Sequence, residues 1–231
     1  MAMIKDNIFR LKKDISLVCR RLGRDPQQIA LVGVTKYAQS IGIIEALQIG
    51  LTHIAENKIQ EAKEKFAAID FSKYPVTRHM IGHLQTNKVK DALKLFDMIQ
   101  SLDSMNLAEA IERQAGVLGR TVDVLVQINI SKEVQKFGVD PQEASPFIER
   151  LATFKYLNVL GVMGMAPTTD DEEIIRNCFR GLREFRDNIE AKFKGSGNIQ
   201  MKFLSMGMSR DYRIALEEGS NMLRIGSLIF K

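Results

Sequence analysis

Two hydrophobic periods alternate along this chain from one end to the other. Ile4, Ile8, Leu11, Ile15, Val18 and Leu22 fall on one helical stripe, and Gly23 stands where that helix should end. The spacing therefore predicts an amphipathic helix over 3–23. Short apolar runs then recur, each followed by a segment of helical period. They predict strands near 29–35, 52–55, 77–81, 98–101, 122–130, 157–163, 201–204 and 222–225. The run from Val122 to Ile130 is the strongest of them, rich in Val and Ile. Between the strands the pattern predicts helices: one capped by Ser40 and closed by Gly50, then 57–68, 86–95, 104–118, one opened by Pro141 and running to 153, 170–192, and one capped by Ser209 and ended by Gly219. The segment 131–140 reads as a loop.

Eight β/α units in 231 residues favour an α/β fold of the (β/α)8 TIM-barrel class, with an extra N-terminal helix, as a single domain over 1–231. An open doubly wound sheet is the alternative. It usually shows a Gly-rich first turn, whereas Gly33 lies inside the first strand with no GxGxxG after it.

Composition narrows the picture a little. No apolar stretch approaches the roughly 18–20 residues that span a bilayer, and the N-terminus lacks a secretory apolar region. Cys19 and Cys178 are isolated, which argues against a disulfide scaffold and for a reducing compartment, the cytoplasm. The net charge is +5, and residues 1–24 hold seven basic side chains against two acidic ones, so the rest of the chain is balanced. A basic helix can touch nucleic acid, but no RNA-binding aromatic motif or zinc finger accompanies it, and a solvated helix face is the preferred reading.

In a barrel the carboxyl ends of all the strands meet at one face. Those ends are Lys36, Asn57, His79 to His83, Ser101, Asn129, Met163 to Met165, Ser205 to Ser209, and Arg224 to Ser227. Lys36 closes the apolar run Leu31-Val32-Gly33-Val34-Thr35. Partly desolvated there, its amine would become a nucleophile for carbonyls. Ser205-Met206-Gly207-Met208-Ser209 and Arg224-Ile225-Gly226-Ser227 are Gly/Ser turns after the seventh and eighth strands, where barrels commonly bind phosphate. Closure brings the eighth strand beside the first. One ligand bearing an aldehyde and a phosphate would satisfy both features: pyridoxal 5'-phosphate (PLP), or a phosphosugar held as a Schiff base.

The chain resembles the pyridoxal-phosphate homeostasis proteins, which are similar to the N-terminal barrel of alanine racemase. The marks are Val34-Thr35-Lys36, Glu56-Asn57-x-x-Gln60-Glu61, His79-Met80-Ile81-Gly82-x-Leu84-Gln85-x-Asn87-Lys88, Gln127-Ile128-Asn129, Gly161-Val162-Met163 and the two Gly/Ser turns, in this order over nearly the whole chain. The resemblance implies that Lys36 holds PLP as an internal aldimine. It also implies that Ser209, Gly226 and Ser227 bind the phosphate, that Arg224 faces the pyridine nitrogen, and that Asn57 lies near the ring; Ser205 is a further candidate cofactor-binding residue. Arg78, Ala55 and Ser227 depart from the usual Trp, Gly and Thr; the serine keeps the hydroxyl.

A fixed cation beside the pyridine nitrogen disfavours its protonation and weakens the ring as an electron sink. Racemisation also needs a proton carrier on each face of the substrate carbon. The racemase takes its second one, a tyrosine, from a separate C-terminal domain. Tyr37, Tyr74, Tyr156 and Tyr212 do not match it, and strand alternation sends Tyr37 away from Lys36. His79 and His83 have no metal spacing and no carboxylate close in sequence, so they read as structural. The expectation is a PLP carrier that is not an enzyme, with a weak PLP-dependent racemase or lyase as the alternative. Its expected partners are PLP and PLP-dependent apo-enzymes, with no nucleic acid and no membrane, and its expected state is a monomer.

Overall fold

Eight parallel strands close into a barrel in strict sequence order, with the first strand paired to both the second and the eighth. The structure is a computed structural model that describes residues 2–131, 133 and 137–231. The strands are β1 (Ala30–Val34), β2 (His53–Glu56), β3 (Thr77–Met80), β4 (Met98–Leu102), β5 (Val122–Ile128), β6 (Leu157–Gly164), β7 (Ile199–Ser205) and β8 (Met222–Ile225). The helices are α1 (Ala2–Arg21), α2 (Ser40–Gln48), α3 (Ile59–Phe66), α4 (Val89–Leu95), α5 (Met105–Leu118), α6 (Ala144–Leu151), α7 (Glu172–Lys192), α8 (Tyr212–Glu217) and α9 (Ser227–Phe230). The fold is the expected (β/α)8 barrel with an extra helix in front.

Strand alternation divides the core in two. Val32, Val34, Ala55, Met98, Leu125, Leu160, Met163 and Met222 pack inside the barrel. Their strand neighbours Leu31, Ile54, Ile99, Val124, Val162 and Leu223 face outward and join the helices in a larger apolar layer. Burial of both faces explains why the strands are apolar runs and not half-polar ones. The apolar stripe of α1 (Ile8, Leu11, Ile15, Val18) is buried in the same layer, where the helix packs against α2, α8 and α9. Arg24, just beyond α1, donates to the carbonyls of Leu216 (2.6 Å) and Ser220 (2.7 Å) at the end of α8. Asp14 of α1 receives Tyr212 at 2.6 Å and Arg213 at 2.9 Å. Some of the N-terminal charge thus pins the helix to the barrel.

The expected helix starts at Ser40, Pro141 and Ser209 are displaced, the last two by local hydrogen bonds. Ser40 is the first residue of α2 and not its cap; its hydroxyl reaches the Lys65 carbonyl at 3.0 Å. Asp140 accepts the Gln142 amide at 2.8 Å, so Pro141 sits in a turn and α6 begins only at Ala144. Asp211 accepts the Met208 amide at 2.5 Å, which closes a turn through Ser209 and delays α8 to Tyr212. The expected loop at 131–140 lies partly outside the described residues. Among the described residues, no helix is long and apolar enough to cross a membrane.

Candidate functional site

The first strand stops two residues before Lys36. Thr35 is fully buried and continues outward, donating through Oγ1 to the Ala55 carbonyl (3.1 Å) and to Glu56 Oε1 (3.0 Å). Glu56 is itself fully buried and pairs with Lys65 at 2.7 Å. Lys65 in turn donates to the carbonyls of Thr35 (2.9 Å) and Lys36 (3.2 Å). A buried ion pair therefore grips the main chain that carries Lys36. Lys36 itself is exposed, so the desolvation expected of it is not supplied by the protein. Its Nζ makes no hydrogen bond or ion pair among the described residues and lies 5.1 Å from the Tyr37 ring centroid. Residues 36–37 form a turn past the end of β1, so alternation no longer separates the two side chains, contrary to expectation. Lys231 sits over the same ring at 5.1 Å.

The turns after β7 and β8 lie next to this lysine, because β8 pairs with β1 in the register Val32↔Arg224 and Gly33↔Ile225. A Cβ on Gly226 would stand 3.2 Å from the Val34 carbonyl oxygen, so the second turn runs directly along the end of β1. Gly207 has φ +95°, and its Cβ would meet the Ala215 methyl at 2.6 Å. Only glycine lets the first turn close against α8 there. The hydroxyls of Ser209 (half-buried) and Ser227 (exposed) have no hydrogen-bond partner among the described residues. The first N–H groups of α9 have no acceptor within the helix either. Ser205 is different. It is fully buried, and its hydroxyl bridges Arg224 Nη1 and Gln100 Oε1 at 2.7 Å each, which leaves nothing for a phosphate.

Arg224 is buried inside the barrel, as its apolar flanks Leu223 and Ile225 suggested. Its Nη2 donates to the Gly164 carbonyl at 2.9 Å, and no carboxylate touches it among the described residues. Burial pulls the guanidinium down to about 10 against the opposing charge of Asp211, which leaves it a cation at neutral pH. A buried cation with no carboxylate in contact is costly unless a ligand or fixed dipoles face it.

Asn57 stands in the bend directly after β2. Its Oδ1 is buried and has no hydrogen-bond partner, a rare condition in a folded chain. Gly82 explains how it is held. A Cβ at that position would come within 2.0 Å of the Asn57 carbonyl oxygen, so the turn after β3 packs onto the turn after β2. A cavity of about 320 Å³ lies here beside α3 and α4, lined by Asn57, Met80, His83, Leu84, Lys63 and Asp91 among others and by none of Lys36, Ser209, Arg224, Gly226 and Ser227. His83 donates from Nδ1 to Asp103 Oδ2 (3.0 Å) and stacks on Phe137 at 3.9 Å. A carboxylate distant in sequence thus supplies the partner that sequence proximity did not show. His79 is fully buried in a hydrogen-bonded structural setting, joined to His53 and Gln100 at 3.0 Å each. Asn129 is tied up within its own loop through Glu133 and Ser131. Sequence reasoning assigned no role to Lys65, Gln100 or Asp211. Glu56 carried the one available signal, a carboxylate ending an apolar strand.

The site therefore offers an exposed amine at the end of β1, two glycine-dependent turns with unpaired hydroxyls beside it, a buried cation behind it and an orphan amide oxygen across the mouth. Comparison with known proteins bears on the family and the fold. The family model "Alanine racemase, N-terminal domain" matches residues 7–231. A pyridoxal phosphate homeostasis protein of Aquifex aeolicus is 35% identical over 225 residues, covering 97% of this chain and 96% of that protein. The structure of PipY of Synechococcus elongatus with PLP bound matches at a TM-score of 0.80 and 30% identity, covering 94% of this chain and 100% of that one. A crystal structure of an unknown protein from Bifidobacterium adolescentis matches at a TM-score of 0.91 and 33% identity, over 99% of this chain and 95% of that one. By both sequence and fold, the chain belongs to the pyridoxal phosphate homeostasis proteins, on the barrel of the alanine racemase N-terminal domain.

Proposed function

We propose that this protein binds PLP at the mouth of its barrel and serves PLP homeostasis in the cytoplasm, as a carrier and not as an enzyme. The observation that carries the reading is the junction of β8 with β1, which brings together an unpaired lysine amine, two glycine turns and a buried arginine that no carboxylate touches. PLP supplies an aldehyde for the amine, a phosphate dianion and a pyridine ring. Lys36 presents the nucleophile, with its main chain held by Lys65. Ser209, Gly226 and Ser227 offer hydroxyl and N–H donors to the phosphate. Arg224 directs its charge at the ring nitrogen, and Asn57 Oδ1 finds at the ring edge the donor it lacks within the protein. Ser205 serves the cofactor through Arg224 and not by touching the phosphate. The cation of Arg224 disfavours proton uptake by the ring, which suits storage better than carbanion chemistry.

The test is borohydride reduction of the PLP-loaded protein followed by mass spectrometry. The adduct is expected on Lys36 and absent in Lys36→Ala; an adduct on another lysine overturns the assignment. Transfer from the loaded protein to a PLP-dependent apo-enzyme, read as recovered activity, tests the carrier role. A second reading, weak racemase or lyase activity, is favoured by one observation: His83 is held by Asp103 on the rim, the arrangement of an oriented acid/base. Deuterium exchange at the α-carbon of single amino-acid enantiomers decides between the two. Exchange at about 1–10³ per second that is lost in His83→Gln would establish the second reading.

A further inference from the structure

The barrel interior contains a line of polar side chains that the site does not use directly. Arg224 Nη1 donates to Ser205 Oγ at 2.7 Å. Ser205 Oγ–H donates to Gln100 Oε1, also at 2.7 Å. Gln100 Nε2 lies 3.0 Å from His79 Nδ1, and His79 Nε2 lies 3.0 Å from His53 Nδ1. β7 and β4 are not neighbours, so the bond from Ser205 to Gln100 crosses the barrel. Ser205, Gln100 and His79 are fully buried, and Arg224 is only 3% exposed.

The direction of every bond is forced from one end. A guanidinium only donates, so the serine oxygen must accept from it. The serine proton then has Gln100 Oε1 as its acceptor, which orients the amide. Gln100 Nε2 must donate to His79 Nδ1, so that nitrogen carries no proton. His79 therefore carries its proton on Nε2 and gives it to His53 Nδ1. Both imidazoles are neutral in this arrangement, consistent with the burial that pushes His79 down to about 3 and lowers His53. A second proton on His79 would set two donors against each other at 3.0 Å. Of the carboxylates near the two ends, Asp97 is paired with Arg78 at 2.8 Å, and Asp211 accepts the Met208 amide and acts on Arg224 only through space.

We propose that His53, His79, Gln100 and Ser205 are positioning residues: a one-way chain of hydrogen bonds from neutral side chains that fixes Arg224 in the barrel without placing a carboxylate in contact with it, so that its charge remains available to the ligand. A single carboxylate in this chain would do the opposite, fixing the guanidinium equally well while cancelling its charge. The proposal rests on the PLP reading for the identity of the ligand, but the chain itself is measurable without any ligand.

The first measurement is the nitrogen NMR of the histidines in the apo-protein. His79 is expected in a single tautomer protonated on Nε2, without titration between pH 8 and 5, as its value of about 3 requires. A His79 protonated on Nδ1, or exchanging between tautomers, overturns the chain. The second measurement uses Gln100→Glu and Ser205→Ala with PLP bound, and reads the pH dependence of the cofactor's absorption bands. Gln100→Glu should draw a proton onto His79 Nδ1 and, with a carboxylate one hydroxyl from Arg224, shift the protonation equilibrium of the chromophore by roughly tenfold or more. Ser205→Ala should move the chromophore and, by freeing the Gln100 amide from its donor, release His79 from its single Nε2–H tautomer. It also serves as the informative variant if Gln100→Glu does not fold. Bands unchanged from the parent in a folded, loaded variant overturn the proposal. If the parent takes up no PLP, the functional reading falls and the claim about the ligand with it, while the His79 tautomer still shows whether the chain of bonds exists.

Discussion

The ion pair beneath Lys36 gives the sharpest quantitative test of how this site is built. Lys65 meets Glu56 at 2.7 Å, and Lys63 meets Asp91 at the same 2.7 Å. The two pairs differ in burial. The Glu56 side chain is fully buried and that of Lys65 is 17% exposed, whereas Lys63 and Asp91 are 44% and 34% exposed. Removing one partner of a buried pair leaves an uncompensated charge and costs about 3–5 kcal/mol, while an exposed pair contributes about 0–1 kcal/mol. Glu56 keeps the Thr35 hydroxyl and the Asn57 amide, both at 3.0 Å, and Lys65 has some access to water. Lys65→Met is therefore expected near the lower end, at about 3 kcal/mol, and Lys63→Met within about 1 kcal/mol of the parent. Adding Glu56→Gln to Lys65→Met should recover part of the loss, because no buried charge then remains. Urea unfolding read by circular dichroism gives each value from the midpoint and slope. Lys65→Met should also slow formation of the borohydride-trapped Lys36 adduct, since the carbonyls of Thr35 and Lys36 lose their donor. Equal effects of Lys65→Met and Lys63→Met on stability would refute the reasoning.

Gly82→Ala places a methyl 2.0 Å from the Asn57 carbonyl oxygen; PLP affinity measured by fluorescence titration should fall well beyond any change in unfolding midpoint. His79 has an ordinary value of 6.5 and a folded value of about 3, so the unfolded chain takes up the proton first. Stability should therefore decline as the pH falls from 6.5 toward 3, and His79→Gln should flatten that decline between pH 6.5 and 5, where most carboxylates do not yet titrate. Burial alone would raise Asp97, but the Arg78 bonds and charge outweigh it and leave it below 3.8. Its contribution is present above that value and lost as the pH falls through the lower folded value, so Asp97→Asn should destabilise at pH 7 and converge on the parent in strong acid, as followed by thermal melting.

The strand order was legible because burial on both faces leaves a plain signature. Runs such as Val122 to Ile128 contain few polar residues, and the β/α alternation does the rest. Helix starts were less legible. At Ser209 a hydroxyl well suited to capping sits three residues before α8, because Asp211 takes the Met208 amide first. Nothing in local spacing ranks those two acceptors. Tyr37 failed for a related reason: alternation holds only while the strand lasts, and β1 ends at Val34.

The site divides along the same line. Lys36, Asn57, Ser209, Arg224, Gly226 and Ser227 occupy strands, strand ends or turns, positions that a barrel topology orders by itself. What supports them was hidden, because each supporting bond joins strands far apart in sequence. Ser205 and Gln100 are separated by 105 residues, and His83 and Asp103 by 20. The polar residues inside the barrel also looked unremarkable one by one: a glutamine in an apolar strand, a histidine before a methionine. Their meaning comes from Arg224. A buried cation with no carboxylate in contact requires dipoles that point one way. Once its donors are fixed, the hydroxyl, the amide and both imidazoles have one consistent orientation. An apolar interior of the same volume would fold as well or better. Retaining four polar side chains there makes sense only if the charge they orient has something to meet at the mouth.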